Sequence, residues 1–250
     1  MGIFDVPAPL LAWLDGHASS FASPSIRLIL WGLISAAFSM GLYWLLSPQK
    51  KIAEIKTKAL EARRALDAYD GEFSGAWPRI YEMLRLSLKQ VGIVTLPAVL
   101  ASLPILCVLV WMSTAYGHYY PERDAHVEVR TFPQQIRARW MAGSEVPPQE
   151  PILPIELPHV EILGALDDVV AIIPVPAPVT TVHKRQWWNV LFGNPAGYLP
   201  GDARVDRIEI DLPSQEFLPV GPGWMRTWEF LYLVVLLLAS IAIKVGFRIK

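Results

Sequence analysis

The stretch IRLILWGLISAAFSMGLYWLL, residues 26–46, decides the fold. It carries a single charge, Arg27, at its start, and is otherwise apolar for the roughly 20 helical residues that cross a hydrocarbon core ~30 Å thick. Two further runs have the same character. Residues 91–115 (VGIVTLPAVLASLPILCVLVWMSTA) contain Pro97 and Pro104, and residues 230–243 read FLYLVVLLLASIAI. A soluble chain would have to hide all three runs in one core, yet very polar, Pro-rich sequence separates them. The expected class is therefore a membrane α-helical protein with three transmembrane helices.

Working outward, charge sets the expected orientation. The chain has 250 residues, is 53% hydrophobic with a mean hydropathy of +0.34, and carries a net charge of −1. Residues 48–92 hold nine Lys/Arg against six Asp/Glu, whereas residues 116–226 hold nine against fourteen. Residues 1–26 contain Asp5 and Asp15 with no basic residue, and the end of the chain supplies Lys244, Arg248 and Lys250. Basic density marks the cytoplasmic side. This predicts a multi-pass protein of the bacterial inner membrane, with a periplasmic N-terminus and a cytoplasmic C-terminus. An organelle membrane is the alternative. No basic n-region precedes residues 7–14, so a cleavable signal peptide is not expected. That apolar patch instead predicts a short interfacial helix with Trp13 at headgroup depth.

The chain then divides as follows: a periplasmic N-terminal segment (1–25), a first transmembrane helix (26–46), a cytoplasmic helical hairpin (47–91) and a second transmembrane helix (92–115). A small, mainly-β periplasmic domain (116–226), a third transmembrane helix (227–245) and a cytoplasmic tail (246–250) complete it. The first span bears small residues on one stripe, Gly32, Ser35, Ala36, Ser39 and Gly41, which lets another helix approach closely. In the hairpin, Ile52, Ile55, Ala59, Ala62, Leu66, Tyr69 and Phe73 follow the 3-4 spacing of a coiled-coil seam. Asp70-Gly71 stops that helix, and a second amphipathic helix over 77–90 places Ile80, Leu84, Leu88 and Val91 on one face. The hairpin either buries itself or meets a partner, for which Lys56, Arg63, Arg64, Met83 and Leu84 are the candidate contacts.

The segment 116–226 contains β-type runs at 126–132, 160–163, 169–174, 179–183 and 204–212. The last, RVDRIEIDL, alternates polar and apolar as a half-buried strand does. The Pro-rich stretch 147–158 suits edge strands and extended chain. Trp187, Trp188 and Phe192 suggest a short helix whose aromatic face packs on the sheet or touches the membrane, and Trp224, Trp228 and Tyr232 form an aromatic belt for the third span.

Catalytic chemistry is not signalled. The five histidines have no metal-ligand spacing, Asp167-Asp168 reads as a turn, and no phosphate loop, GxSxG elbow or Cys/His dyad occurs. Cys107, the single cysteine, falls within the second span. No enzyme activity, cofactor or metal is expected, and the acidic balance of 116–226 speaks against DNA as a partner. The intramembrane polar candidates are Arg27, Ser35, Ser39, Thr95, Ser102 and Glu229, with Arg27 and Glu229 opening the first and third spans as a potential pair.

SPQKKIAEIKTKALEARRALDAYDGEFSGAWPRIYEMLRLSLKQVGIVTLPAVLASLP, residues 47–104, resembles the core of the YidC/Oxa/Get insertase superfamily, nearest to its three-span branch of archaeal YidC-like proteins and the insertase subunit of the ER membrane complex. The shared pattern is a span, a basic cytoplasmic hairpin with a Met/Leu-rich helix, and a span that begins with proline. The resemblance implies a groove that aids insertion or assembly of membrane proteins without nucleotide hydrolysis. It also implies a hairpin that contacts clients or the ribosome. The large outer domain departs from that branch. The alternative is a non-catalytic accessory subunit of a larger membrane complex, with the β domain capping its periplasmic face. The lipid bilayer and other membrane proteins are partners under both readings.

Overall fold

The computed structural model describes residues 2–143, 157–164 and 166–249, in which the chain forms two compact units. One comprises residues 1–27 and 107–231, the other 28–106 and 232–250. The Pro-rich stretch at 147–156 lies outside the described residues. The helices are α1 (Ala8–Ala18), α2 (Pro24–Leu46), α3 (Gln49–Asp67), α4 (Phe73–Ala115), the single turn α5 (Gly223–Arg226) and α6 (Trp228–Gly246). Three of them, α2, α4 and α6, are long and apolar enough to cross a membrane.

In the second unit, α2 buries Leu28, Trp31, Gly32, Ser35 and Ala36, positions that recur every three or four residues and so form one stripe of the helix. The small residues explain the fit. A Cβ added at Gly32 would sit 2.8 Å from Val235 Cγ1 of α6, so only glycine admits this approach. Gly41, expected on the same stripe, faces open space. Tyr232 of α6 is fully buried, with the Ser35 hydroxyl as its polar neighbour.

The hairpin departs from expectation in its second helix. Residues 77–90 and 92–115 are not two helices but one, α4, which runs unbroken for 43 residues and contains Pro78, Pro97 and Pro104. At ~1.5 Å per residue this is roughly 65 Å of helix, twice a hydrocarbon core. Gly92 lowers helix propensity by only about 1 kcal/mol, and each proline removes one backbone bond, so neither outweighs the many helix-forming residues around them. The seam of α3 is inward as predicted: Ile52 and Ile55 are buried and Ala59, Ala62, Leu66 and Tyr69 half-buried. Phe73 is 73% exposed instead, and of the face expected on the second helix only Ile80 is half-buried. Leu84, Leu88 and Val91 are exposed, because the inward side of α4 there carries Met83, Leu86 and Gln90.

Among the described residues the first unit holds six strands, β1 (Val129–Phe132), β2 (Arg137–Met141), β3 (His159–Leu163), β4 (Val169–Pro174), β5 (Thr181–His183) and β6 (Arg207–Ile210). They form two three-stranded antiparallel sheets, ordered β1-β6-β5 and β2-β3-β4. Five follow the predicted runs. The exception, β2, reads Arg-Ala-Arg-Trp-Met and alternates exposed with half-buried positions, its arginines turned outward and Ala138 and Trp140 packed on the core. In β6 the predicted alternation buries Ile208 and Ile210 and leaves Arg207 exposed. With Val160, Val182 and Val205 they form the centre of this unit's core. The Trp187–Val190 segment is one 3-10 turn, in which Trp188 lies 5.0 Å from the His183 ring while Trp187 is 82% exposed. Phe192 stacks on Phe4 at 5.2 Å. This ties the N-terminus to the β region, as does Asp5, whose carboxylate accepts from the Gly193 N–H at 2.8 Å.

Candidate functional site

A deeply set ionic group of the first unit is built from three distant stretches of sequence. Asp15 projects from α1, one turn past Leu11, the other buried residue of that helix. Arg27 lies in the first turns of α2, and Tyr116 directly follows α4. The Arg27 guanidinium donates to Asp15 Oδ2, and the Tyr116 hydroxyl donates to Asp15 Oδ1, so both carboxylate oxygens are engaged. Arg27 also lies over the Tyr116 ring, 5.5 Å from its centroid, a cation–π geometry.

This clip is largely dry. The side chains of Arg27 and Asp15 are 15% and 12% exposed and Tyr116 is 2% exposed. Burial first, and then the hydrogen bond to Asp15, push the Tyr116 phenol well above its usual range, so it remains a donor. Trp111 meets the Tyr116 ring edge-on at 5.9 Å, and Phe217 closes the other side at 5.8 Å. Below the clip, Ser25 donates to the Phe217 carbonyl at 3.1 Å and Gln215 to the His118 carbonyl at 2.9 Å. Burial also holds the half-buried His118 imidazole below its ordinary range, with Glu229 as a weaker opposing influence.

Arg27 therefore pairs with Asp15 rather than with Glu229, which is exposed. The reason lies in helix α1, expected over the segment PAPLLAWLDG (7–16) and running on to Ala18: it carries Asp15 to the start of α2. Trp13 is exposed. Asp15 and Tyr116 were not among the predicted site residues. The available signal was one carboxylate in an apolar N-terminal segment, together with one arginine opening an apolar run.

Three of the remaining polar candidates of the apolar helices, Ser39, Thr95 and Ser102, donate to helix backbone. Ser39 donates to the Ala101 carbonyl at 2.8 Å, next to the turn where Pro104 withholds a donor from the Leu100 carbonyl. Thr95 bonds back to the Val91 carbonyl at 2.8 Å, and Ser102 to the Val99 carbonyl at 2.7 Å. Ser35 is buried against α6. Around them the outward side chains are hydrocarbon: Ile34 and Phe38 on α2, Leu96 and Val99 on α4, Leu237 and Leu238 on α6 are all more than half exposed. Among the hairpin candidates Lys56, Arg63, Arg64 and Leu84 are exposed and Met83 is half-buried.

No group of three potential metal ligands comes together among the described residues. Three of the five histidines make local contacts: His17 Nδ1 meets the Trp13 carbonyl, His159 that of Leu157 and His183 that of Lys184. Asp167 adopts a left-handed conformation (φ 62°) in the β3–β4 turn and pairs with Arg137 at 2.8 Å, the turn role expected of it. No family model, curated protein or solved structure matches this chain.

Proposed function

We propose that this protein is a membrane-embedded, non-catalytic subunit that holds together an assembly of membrane proteins. In this reading α2, α4 and α6 span the bacterial inner membrane. The N-terminal segment and the β domain lie in the periplasm, and α3 with the first turns of α4 in the cytoplasm, an orientation that the charge distribution supports. One observation carries the reading. The hydroxyls of Ser39, Thr95 and Ser102, which a polar conduit would need for its lining, are bonded to helix backbone, and the helices turn hydrocarbon outward. Such surfaces suit lipid and neighbouring helices rather than a polar client.

A second reading, insertase-like assistance to membrane-protein insertion, is favoured by the order of parts. An apolar helix, a basic hairpin and a Pro-bearing apolar helix follow one another in α2, α3 and α4, as in the YidC/Oxa/Get superfamily. Water accessibility separates the two readings. Single cysteines at Ser39, Thr95 and Ser102, in a Cys107→Ser background, would be exposed to a membrane-impermeant maleimide in native vesicles. The assembly reading expects labelling only after denaturation, and co-purification in mild detergent of one fixed set of partners. Labelling of Ser39 and Ser102 in intact vesicles, with a spread of unrelated nascent proteins, would establish the insertase reading instead.

A further inference from the structure

We infer that the cleft beside β4 is a binding site for one extended peptide strand carrying an acidic residue. The inference goes beyond the assembly reading and survives its failure, because it is tested on the full-length chain alone.

The cleft, about 850 Å³, lies within the first unit. Val170 to Pro174 of β4 form one wall, Tyr198 to Val205 another, and Ile162 and Val182 reach it from β3 and β5. At ~3.3 Å rise, ~4.8 Å strand spacing and ~10 Å sheet thickness, one residue of strand fills roughly 160 Å³. The cleft thus holds about five residues, close to the six of β4 itself.

The wall dictates what kind of chain fits. In the order β2-β3-β4, β4 has a strand neighbour on one side only among the described residues. Its sequence, VVAIIP, bears no charge before its terminal proline, and Val169, Val170 and Ile172 are 45%, 53% and 38% exposed. Native sheets guard such an edge with lysine, a bulge or a covering segment, since bare backbone donors and acceptors recruit another strand. The edge of β5 is guarded in this way: the Asn194 side chain donates to the Thr181 carbonyl at 2.8 Å and the Leu199 N–H to the His183 carbonyl at 3.1 Å. On β4 the open edge faces a cleft of strand dimensions, the arrangement used in strand addition.

Two features choose the occupant. The loop that forms the opposite wall leaves room for a single strand, and the β4 edge of a second copy would bring its own sheet and loop with it. The charged lining is Arg137, Arg204 and Asp202, an excess of positive charge. Arg204 is exposed, and the Arg137–Asp167 pair is more than half exposed on both partners, so it competes weakly against an incoming carboxylate.

The test uses the full-length protein in detergent micelles and a fluorescein-labelled hexapeptide of alternating threonine and valine with one glutamate. Fluorescence polarisation should show saturable binding, weakened at least tenfold when lysine replaces the glutamate and lost when two prolines replace the valines. Arg204→Glu, an exposed change that leaves the core untouched, should invert the preference between the glutamate and lysine peptides. Hydrogen exchange of the β4 amides should slow on binding, and Ile172→Lys should abolish the effect. Absence of binding, or equal binding of the proline peptide, would overturn the inference. A micellar dimer that Ile172→Lys converts to monomer would assign the edge to a second copy instead.

Discussion

Asp15 and Arg27 form an ion pair whose side chains are nearly nine-tenths buried, and the carboxylate oxygen that Arg27 leaves free accepts the Tyr116 hydroxyl. Removing one partner strands the other charge in a dry site, at a cost of about 3–5 kcal/mol, whereas replacing both by apolar groups of similar volume is close to neutral. Asp15→Leu alone should therefore lower the thermal midpoint in detergent sharply. The double variant Asp15→Leu/Arg27→Met should recover most of the loss. A double variant no more stable than the single one would show that the pair contributes more than mutual neutralisation.

Gly32 supports a second prediction. A leucine there must displace Val235, and overpacking of this kind costs roughly 1–3 kcal/mol. Gly32→Leu should reduce the midpoint, and adding Val235→Ala should restore part of it. Gly41→Leu, facing open space, should leave it unchanged.

Alkaline pH probes Tyr120. Burial raises its phenol from 10.0 to about 12, and its hydroxyl donates to the Val175 carbonyl at 2.8 Å. The folded state thus holds this proton more tightly than the unfolded state. Its stabilising contribution is complete below pH 10 and fades as pH rises towards 12. Tyrosinate absorbance should show a late-titrating phase that Tyr120→Phe removes, and the variant should lose less stability than the parent over this window.

The sidedness of the chain is open to direct measurement. With Cys107→Ser as background, single cysteines at Ser20 and Lys58 should label from opposite faces of right-side-out vesicles. Ser20 should react with an impermeant reagent in intact vesicles, and Lys58 only after permeabilisation. Labelling of both from one face would sink the proposed topology.

The apolar helices were legible because hydrocarbon runs of this length have few other uses, and the starts and stops at Pro24, Pro48 and Asp70 are local signals. What escaped reading was non-local. The change from an amphipathic to an apolar pattern near residue 91 looks like a boundary between two helices, yet α4 continues through it. The strand β2 was hidden by its two outward arginines. Asp15 read as a topological charge, since nothing in a linear sequence shows that α1 returns it to Arg27. In the β region five strand segments could be placed, but not their order, which joins β1 to β6 across the whole domain.

That order has a consequence for biosynthesis. In the sheet β1-β6-β5 the central strand is the last one made, and Val129 waits for Ile210 before it gains a partner. Until then β1 and β5 leave the site of synthesis with their edges bare. Contacts so distant in sequence form slowly. The domain can close only as the chain approaches Trp228, where α6 begins. Its folding is thereby timed to the delivery of the last apolar helix, and a ribosome stalled before that point would leave a chain whose first sheet has no middle.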